Sequence, residues 1–153
     1  MNNEPTVKQS LISSLLAMVI GVLYFYPLAY FWGYIAAYNP VHELLLDLAR
    51  NDMPFAYLTL VSIQDFLINL VLMLPMALLV FHLLRPIGSW FYLILALISS
   101  EATEMYPVWS ELDKYFASVG FLDYARYCII SMVPAMLDFW FIKKGLIFGS
   151  PKV

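Results

Sequence analysis

Apolar residues run along this chain in four long stretches, and the polar residues gather in the short segments between them. The first stretch covers residues 11–38, interrupted only by Pro27, and the second covers 57–84, with Pro75 inside it. The third begins near Ile87, just after Arg85-Pro86, and is clearly apolar only to Ser100. The fourth covers 126–148, with Pro134 inside it. A membrane-crossing helix needs about 20 predominantly apolar residues. Proline is tolerated within one, because neighbouring groups take up the carbonyl it frees. The pattern therefore predicts an all-α, polytopic membrane protein with four transmembrane helices. The first stretch exceeds the roughly 7–15 apolar residues of a signal peptide, so it reads as an uncleaved span.

The third span is the short one. Residues 87–100 cover only about 20 Å at 1.5 Å per residue, against a hydrocarbon core of about 30 Å. To cross, the helix must continue through Glu101-Ala102-Thr103-Glu104 to residue 109, which places Glu101 in the membrane shoulder. A re-entrant segment is the alternative.

Two connections have the pattern of short amphipathic helices. Over 40–50, Asn39-Pro40 offers an N-cap and a proline at the first helical position. Val41, Leu44, Leu45 and Leu48 then recur at helical spacing, with Glu43, Asp47 and Arg50 on other faces. Over 109–119, Trp109, Leu112, Phe116 and Val119 share a face, and Gly120 is expected to end the helix. Both suit helices lying in the headgroup plane on the outer face, or amphipathic caps packed on the bundle.

Composition agrees with this pattern. The chain of 153 residues is 63% hydrophobic and 12% charged, where a soluble domain has about 25% charged and 45–50% apolar residues. That excludes an ordinary soluble enzyme. A net charge of −3 and the absence of a basic patch exclude nucleic acid as a partner. Cys128 is the single cysteine, so no intrachain disulfide forms. No Walker, nucleophile-elbow, zincin or C-x-x-C motif occurs, so no catalytic residue and no cofactor is implied.

The few charges are sorted. Lys8, Arg85, Lys143, Lys144 and Lys152 fall on the side of the two termini, and Arg50, Lys114 and Arg126 on the other. The positive-inside rule then puts both termini in the cytoplasm. Acids collect on the outer side, at Glu43, Asp47, Asp52, Glu101, Glu104, Glu111, Asp113 and Asp123. The compact chain and the lack of glycosylation acceptors lean towards a bacterial inner membrane.

Three features are candidates for function. In the first span Ser13, Ala17 and Gly21 form a four-residue row of small side chains, continued past Phe25 by Ala29, Gly33 and Ala37. Such a row lets another helix approach closely, either as a seam within the bundle or as a dimer face. The aromatic block from Tyr24 to Tyr34 reads as an interfacial belt, or as a wall for a lipid or quinone-like ring. The third feature is polar groups inside the spans: Asp65 and Asn69 in the second, Glu101 at the shoulder of the third, and Asp138 in the fourth, with Ser62 and Ser131 on the matching faces. Charge at this depth is costly and faces the bundle interior or water. These residues form a candidate polar or ion site, or act as hydrogen-bonding clamps. His42 and His82 fall on opposite sides, and the spacing of His42, Glu43, Glu101 and Glu104 is not diagnostic of a metal site.

Three functions are compatible with these features. The foremost is a non-catalytic subunit or accessory factor packed with a larger membrane complex. The alternative is an oligomeric cation- or proton-linked transporter or channel protomer using the buried carboxylates. A lipid-acting intramembrane enzyme comes third, because it lacks a nucleophile–base or metal signature. The partners expected are the lipid bilayer and a larger complex or further copies of the chain.

Overall fold

The computed structural model describes residues 7–39, 41–84, 90–111, 114 and 120–147. Among these the secondary structure is entirely helical: α1 (Val7–Ala37), α2 (His42–Arg50), α3 (Pro54–Leu72), α4 (Leu74–Leu83), α5 (Trp90–Met105), a 3-10 segment (Tyr106–Glu111) and α6 (Phe121–Lys143). Side-chain pairs fix the directions of the helices. Trp32 meets Asn69 and Tyr24 meets Leu72, so α1 and α3 are antiparallel. Ser62 meets Arg126, Asn69 meets Ile130 and Phe81 meets Phe139, so α3–α4 and α6 run parallel. Glu104 meets Tyr127, Glu101 meets Ser131 and Trp90 meets Phe139, so α5 and α6 are antiparallel. Successive long elements therefore alternate in direction, and the start of α1 lies at the same end of the bundle as the end of α6.

Three helical stretches are long and apolar enough to cross a membrane: Val7–Ile35, Pro54–Leu83 and Asp123–Lys143. The expected fourth is not among them. α5 has 16 residues, about 24 Å of helix, and the chain tightens into the 3-10 segment at Tyr106-Pro107. Pro107 has no N–H to continue an α-helical ladder. The second stretch breaks at Met73 into α3 and α4, because Pro75 removes a backbone donor there. The hydroxyl of Tyr24 donates to the carbonyl of Leu72 at this break, which gives a carbonyl at the kink a partner from a neighbouring helix.

The fourth stretch starts earlier than its apolar pattern suggests. α6 begins at Phe121, so Arg126 is not at the helix edge but more than a turn inside it. Gly120 stands directly before this helix, and residues 115–119 on its other side lie outside the described residues. With φ 82° it occupies the N-cap of α6, in the left-handed region that glycine adopts without a side-chain penalty. At the other end, Gly145 N–H bonds to Ile142 and Leu146 N–H to Phe141, a Schellman motif.

Of the two short helices, α2 is present. It starts at His42 with Val41 as N-cap, rather than from an Asn39 cap. Instead Asn39 Oδ1 accepts from Val41 N–H, and Pro40 lies outside the described residues. Leu45 is buried and α2 packs on α3, while Glu43, Asp47 and Arg50 are exposed. The 109–119 segment begins within the 3-10 segment, and Leu112, Phe116 and Val119 lie outside the described residues, as does the Arg85-Pro86 turn.

The core lies where α1, α4, α5 and α6 meet, around the fully buried Ala17, Met76, Ala77, Val80, Leu93, Ala96 and Phe139. Outside it, large apolar side chains face the surroundings along the long helices, among them Leu11, Leu15, Leu23, Leu67, Val71 and Ile129. Water would penalise that surface, and lipid would not. Five hydroxyls are satisfied within their own helices: Ser14, Thr59, Ser62, Ser99 and Thr103 each donate to the carbonyl four residues earlier, which pairs them even in an apolar medium.

Candidate functional site

The buried polar groups are arranged around α6, which presents a different polar face to α3 and to α5. Arg126 and Ile130 are four residues apart and face α3. Tyr127, Ser131 and Asp138 recur at four and seven residues, which places them along one stripe of the helix.

On the α3 side the centre is Asn69, only 4% exposed. Its Oδ1 accepts from Trp32 Nε1 at 3.0 Å, and its Nδ2 donates to the Ile130 carbonyl at 3.2 Å. One amide thus joins α1, α3 and α6. A turn nearer the start of α6, Arg126 Nη1 donates to Ser62 Oγ at 3.2 Å, and that hydroxyl in turn donates to Leu58 O at 2.7 Å. Arg126 Nε is buried without a partner, and so is Gln64 Oε1. Asp65 faces Arg126 across a partly enclosed cavity of about 140 Å³, whose other walls are Trp32, Tyr127 and Ile130. No ion pair within 4 Å joins Asp65 to Arg126 among the described residues.

On the α5 side, Glu101 Oε1 accepts from Ser131 Oγ at 2.8 Å, and both oxygens of Glu104 are 2.9 Å from the Tyr127 hydroxyl. Glu101 Oε2 is buried and unpartnered. Asp138 is 3% exposed, and its Oδ2 also lacks a partner. It lies seven residues beyond Ser131, about 10 Å further along the helix. Tyr24 is within electrostatic reach of it.

The four sequence-derived polar residues therefore do not converge on one site. Asp65 and Asn69 lie on the α3–α6 seam, Glu101 on the α5–α6 seam, and Asp138 deeper and apart. The Asp65 cavity is not lined by Asp138 or Glu101. Arg126 is the important residue that the sequence pattern misplaces. The available signal was the apolar pair Phe121-Leu122, which extends the helix outward past Asp123. Trp32 was visible only as one ring of an aromatic block.

The small-residue row is divided as well. Ala17 and Gly21 are buried, and a Cβ at Gly21 would run into the backbone carbonyl of Ala96. This half is the seam between α1 and α5. Ala29, Gly33 and Ala37 are exposed, and nothing lies within 4 Å of a Cβ placed at Gly33. The aromatic block is split too: Phe25 and Tyr26, with Tyr106 and Trp109, line an open apolar groove of about 530 Å³ between α1 and the end of α5, whereas Trp32 points to Asn69. Cys128 is a free, half-buried thiol. Among the described residues no three His, Cys, Asp or Glu side chains converge as a metal ion would need.

The architecture is that of a helical bundle with three helices able to span a membrane. Comparison with family models, with curated proteins and with solved structures returned no match to this chain.

Proposed function

We propose that this protein is a four-span membrane protein that serves as a non-catalytic subunit or accessory factor of a larger membrane complex. In this reading α5 with its 3-10 extension makes the third crossing, 16 and 6 residues respectively, which together reach about 36 Å at 1.5 and 2.0 Å per residue. The alternating helix directions support that crossing. The termini face the cytoplasm, in accord with the excess of Lys and Arg that the sequence carries in its terminal segments and in the connection at Arg85, and the membrane is a bacterial inner membrane.

The observation that carries the reading is the outer half of α1. Exposed positions on the long helices are mostly large apolar or aromatic side chains, but Ala29, Gly33 and Ala37 form an open strip of small residues. Small residues at this spacing accept the backbone of another helix. The test is extraction in a mild detergent followed by native mass measurement. A stoichiometric larger partner is expected, and Gly33→Leu releases it while the chain itself still accumulates. A lone monomer would overturn the proposal.

A second reading, a cation- or proton-linked transporter protomer, is favoured by the unpartnered carboxylate oxygens of Glu101 and Asp138 and by Asp65. Intramembrane ionisable groups commonly mark ion or proton paths. It requires flux in proteoliposomes that disappears in Asp65→Asn or Asp138→Asn at unchanged protein level.

A further inference from the structure

We propose that the cavity between Asp65 and Arg126 binds the headgroup of a zwitterionic aminophospholipid, with the lipid phosphate on Arg126 and its ammonium on Asp65. The two side chains carry opposite charges and face a common space without closing into an ion pair. Arg126 lines this space and spends one nitrogen on Ser62, and its guanidinium has no other hydrogen-bond partner among the described residues. A guanidinium edge of this kind matches phosphate oxygens. Asp65 has no hydrogen-bond donor on it among the described residues, and an ammonium supplies several N–H groups. Trp32 and Tyr127 form further walls together with Ile130, and their rings favour a cation beside them. Trp32 is held by Asn69, and the Tyr127 hydroxyl is engaged by Glu104, so both rings are positioned before any ligand arrives.

Depth selects a lipid over a soluble molecule. The apolar stretch of α6 runs Asp123–Lys143, about 30 Å of helix, the thickness of a hydrocarbon core. Arg126 lies three residues inside its outer edge, about 4.5 Å, at the boundary where headgroups meet acyl chains. Trp32 is five residues from the outer end of α1, at a similar level. The chemistry recognised, a phosphate and an amine a few ångströms apart, is shared with soluble phosphoethanolamine, so the test separates the two. The inference rests on the reading of α1, α3 and α6 as membrane spans and does not depend on a partner subunit. Partner capture and lipid binding therefore fail independently.

The experiment is native mass spectrometry of the full-length chain, titrated with phosphatidylethanolamine, phosphatidylglycerol and diacylglycerol of identical acyl chains. One phosphatidylethanolamine per chain is expected, bound about tenfold more tightly than phosphatidylglycerol, a difference the size of one charge-assisted contact. Diacylglycerol is expected to bind no better than it does to bulk apolar surface. Asp65→Asn brings phosphatidylethanolamine down to the phosphatidylglycerol level, Arg126→Gln brings both down to diacylglycerol, and Arg126→Lys retains phosphate binding. Circular dichroism reports whether each variant folds. If Arg126→Gln does not fold, the wild-type lipid series with Asp65→Asn and Arg126→Lys still decides. Equal binding of all three lipids by the wild type, or an unchanged preference in Asp65→Asn, would overturn the proposal and leave the cavity to water. Displacement of the lipid by equimolar soluble phosphoethanolamine would overturn the lipid assignment.

Discussion

The side-chain amide of Asn69 accepts the indole N–H of Trp32 at 3.0 Å, and this bond sets the position of α1 against α3. Because the same amide also donates to the Ile130 carbonyl of α6, it holds three helices in one register. Asn69→Ala removes both bonds and leaves a buried indole N–H and a carbonyl to find other partners. A loss of about 1–3 kcal/mol is expected, measured by reversible unfolding in mixed micelles. Trp32→Phe should lose less, and a double-mutant cycle should give a coupling of about 0.6–1.7 kcal/mol.

Gly21 and Gly33 lie on one row of α1 but should respond in opposite ways. Gly21→Ala places a methyl group against the Ala96 carbonyl, and helix backbones cannot yield without separating. A cost of about 1–3 kcal/mol is expected. Gly33→Ala meets open space and should be neutral or stabilising by up to about 1 kcal/mol, since alanine is the better helix former. Equal effects at the two positions would contradict the division of the row into a seam and an open face.

Cysteine labelling counts the crossings. In a Cys128→Ser background, single cysteines at Lys8 and Lys144 should react from the same side of the membrane, and one at Asp52 from the other. Four crossings require this. Three would put Lys8 and Lys144 on opposite sides.

Ser131 donates to Glu101 at 2.8 Å, while the other oxygen of that carboxylate is already unpartnered. Ser131→Ala leaves the whole carboxylate without a side-chain donor and should cost about 1–3 kcal/mol. Combining it with Glu101→Leu should recover much of the loss, because replacing both partners by apolar groups removes the buried polar atoms altogether. The double variant also tells the two functional readings apart: an accessory subunit tolerates it, and a carboxylate-dependent transporter does not.

Asp52 closes α2 with φ 53°, while the N–H groups of Asp52 and Met53 bond back to Ala49 and Leu48. This is a Schellman motif with aspartate in the glycine position. Asp52→Gly should raise the melting temperature, by an amount equivalent to about 1 kcal/mol.

Hydropathy patterning specifies the helices and their apolar character. Runs of about 20 mostly apolar residues, with most of the charge outside them, specify helices long and apolar enough to cross a bilayer, and the row through Ala17 and Gly21 marks a close helix contact. It also singled out Asp65, Asn69, Glu101 and Asp138, because a polar side chain in an apolar run stands out. The ends of the elements were less legible. Gly120 reads as a stop in a one-dimensional pattern and is a start in the fold, since a left-handed glycine serves either purpose. The third stretch falls short because its length depends on where Pro107 and two glutamates let the helix end.

Which polar groups share a space depends on how the helices pack. Helical periodicity gives the face of a residue but not the neighbour that the face meets. Asp65 and Asp138 both lie on apolar helices that run in one direction, so sequence pairs them readily. Packing instead turns Asp65 towards Arg126 and Trp32, and sends Glu101 to Ser131 on the opposite side of α6. That outcome is fixed by contacts between distant segments: Gly21 on Ala96, Asn69 between Trp32 and Ile130, and Phe139 between Phe81 and Trp90. Each is a single close fit of two surfaces, and no periodic signal in either strand of sequence encodes its partner.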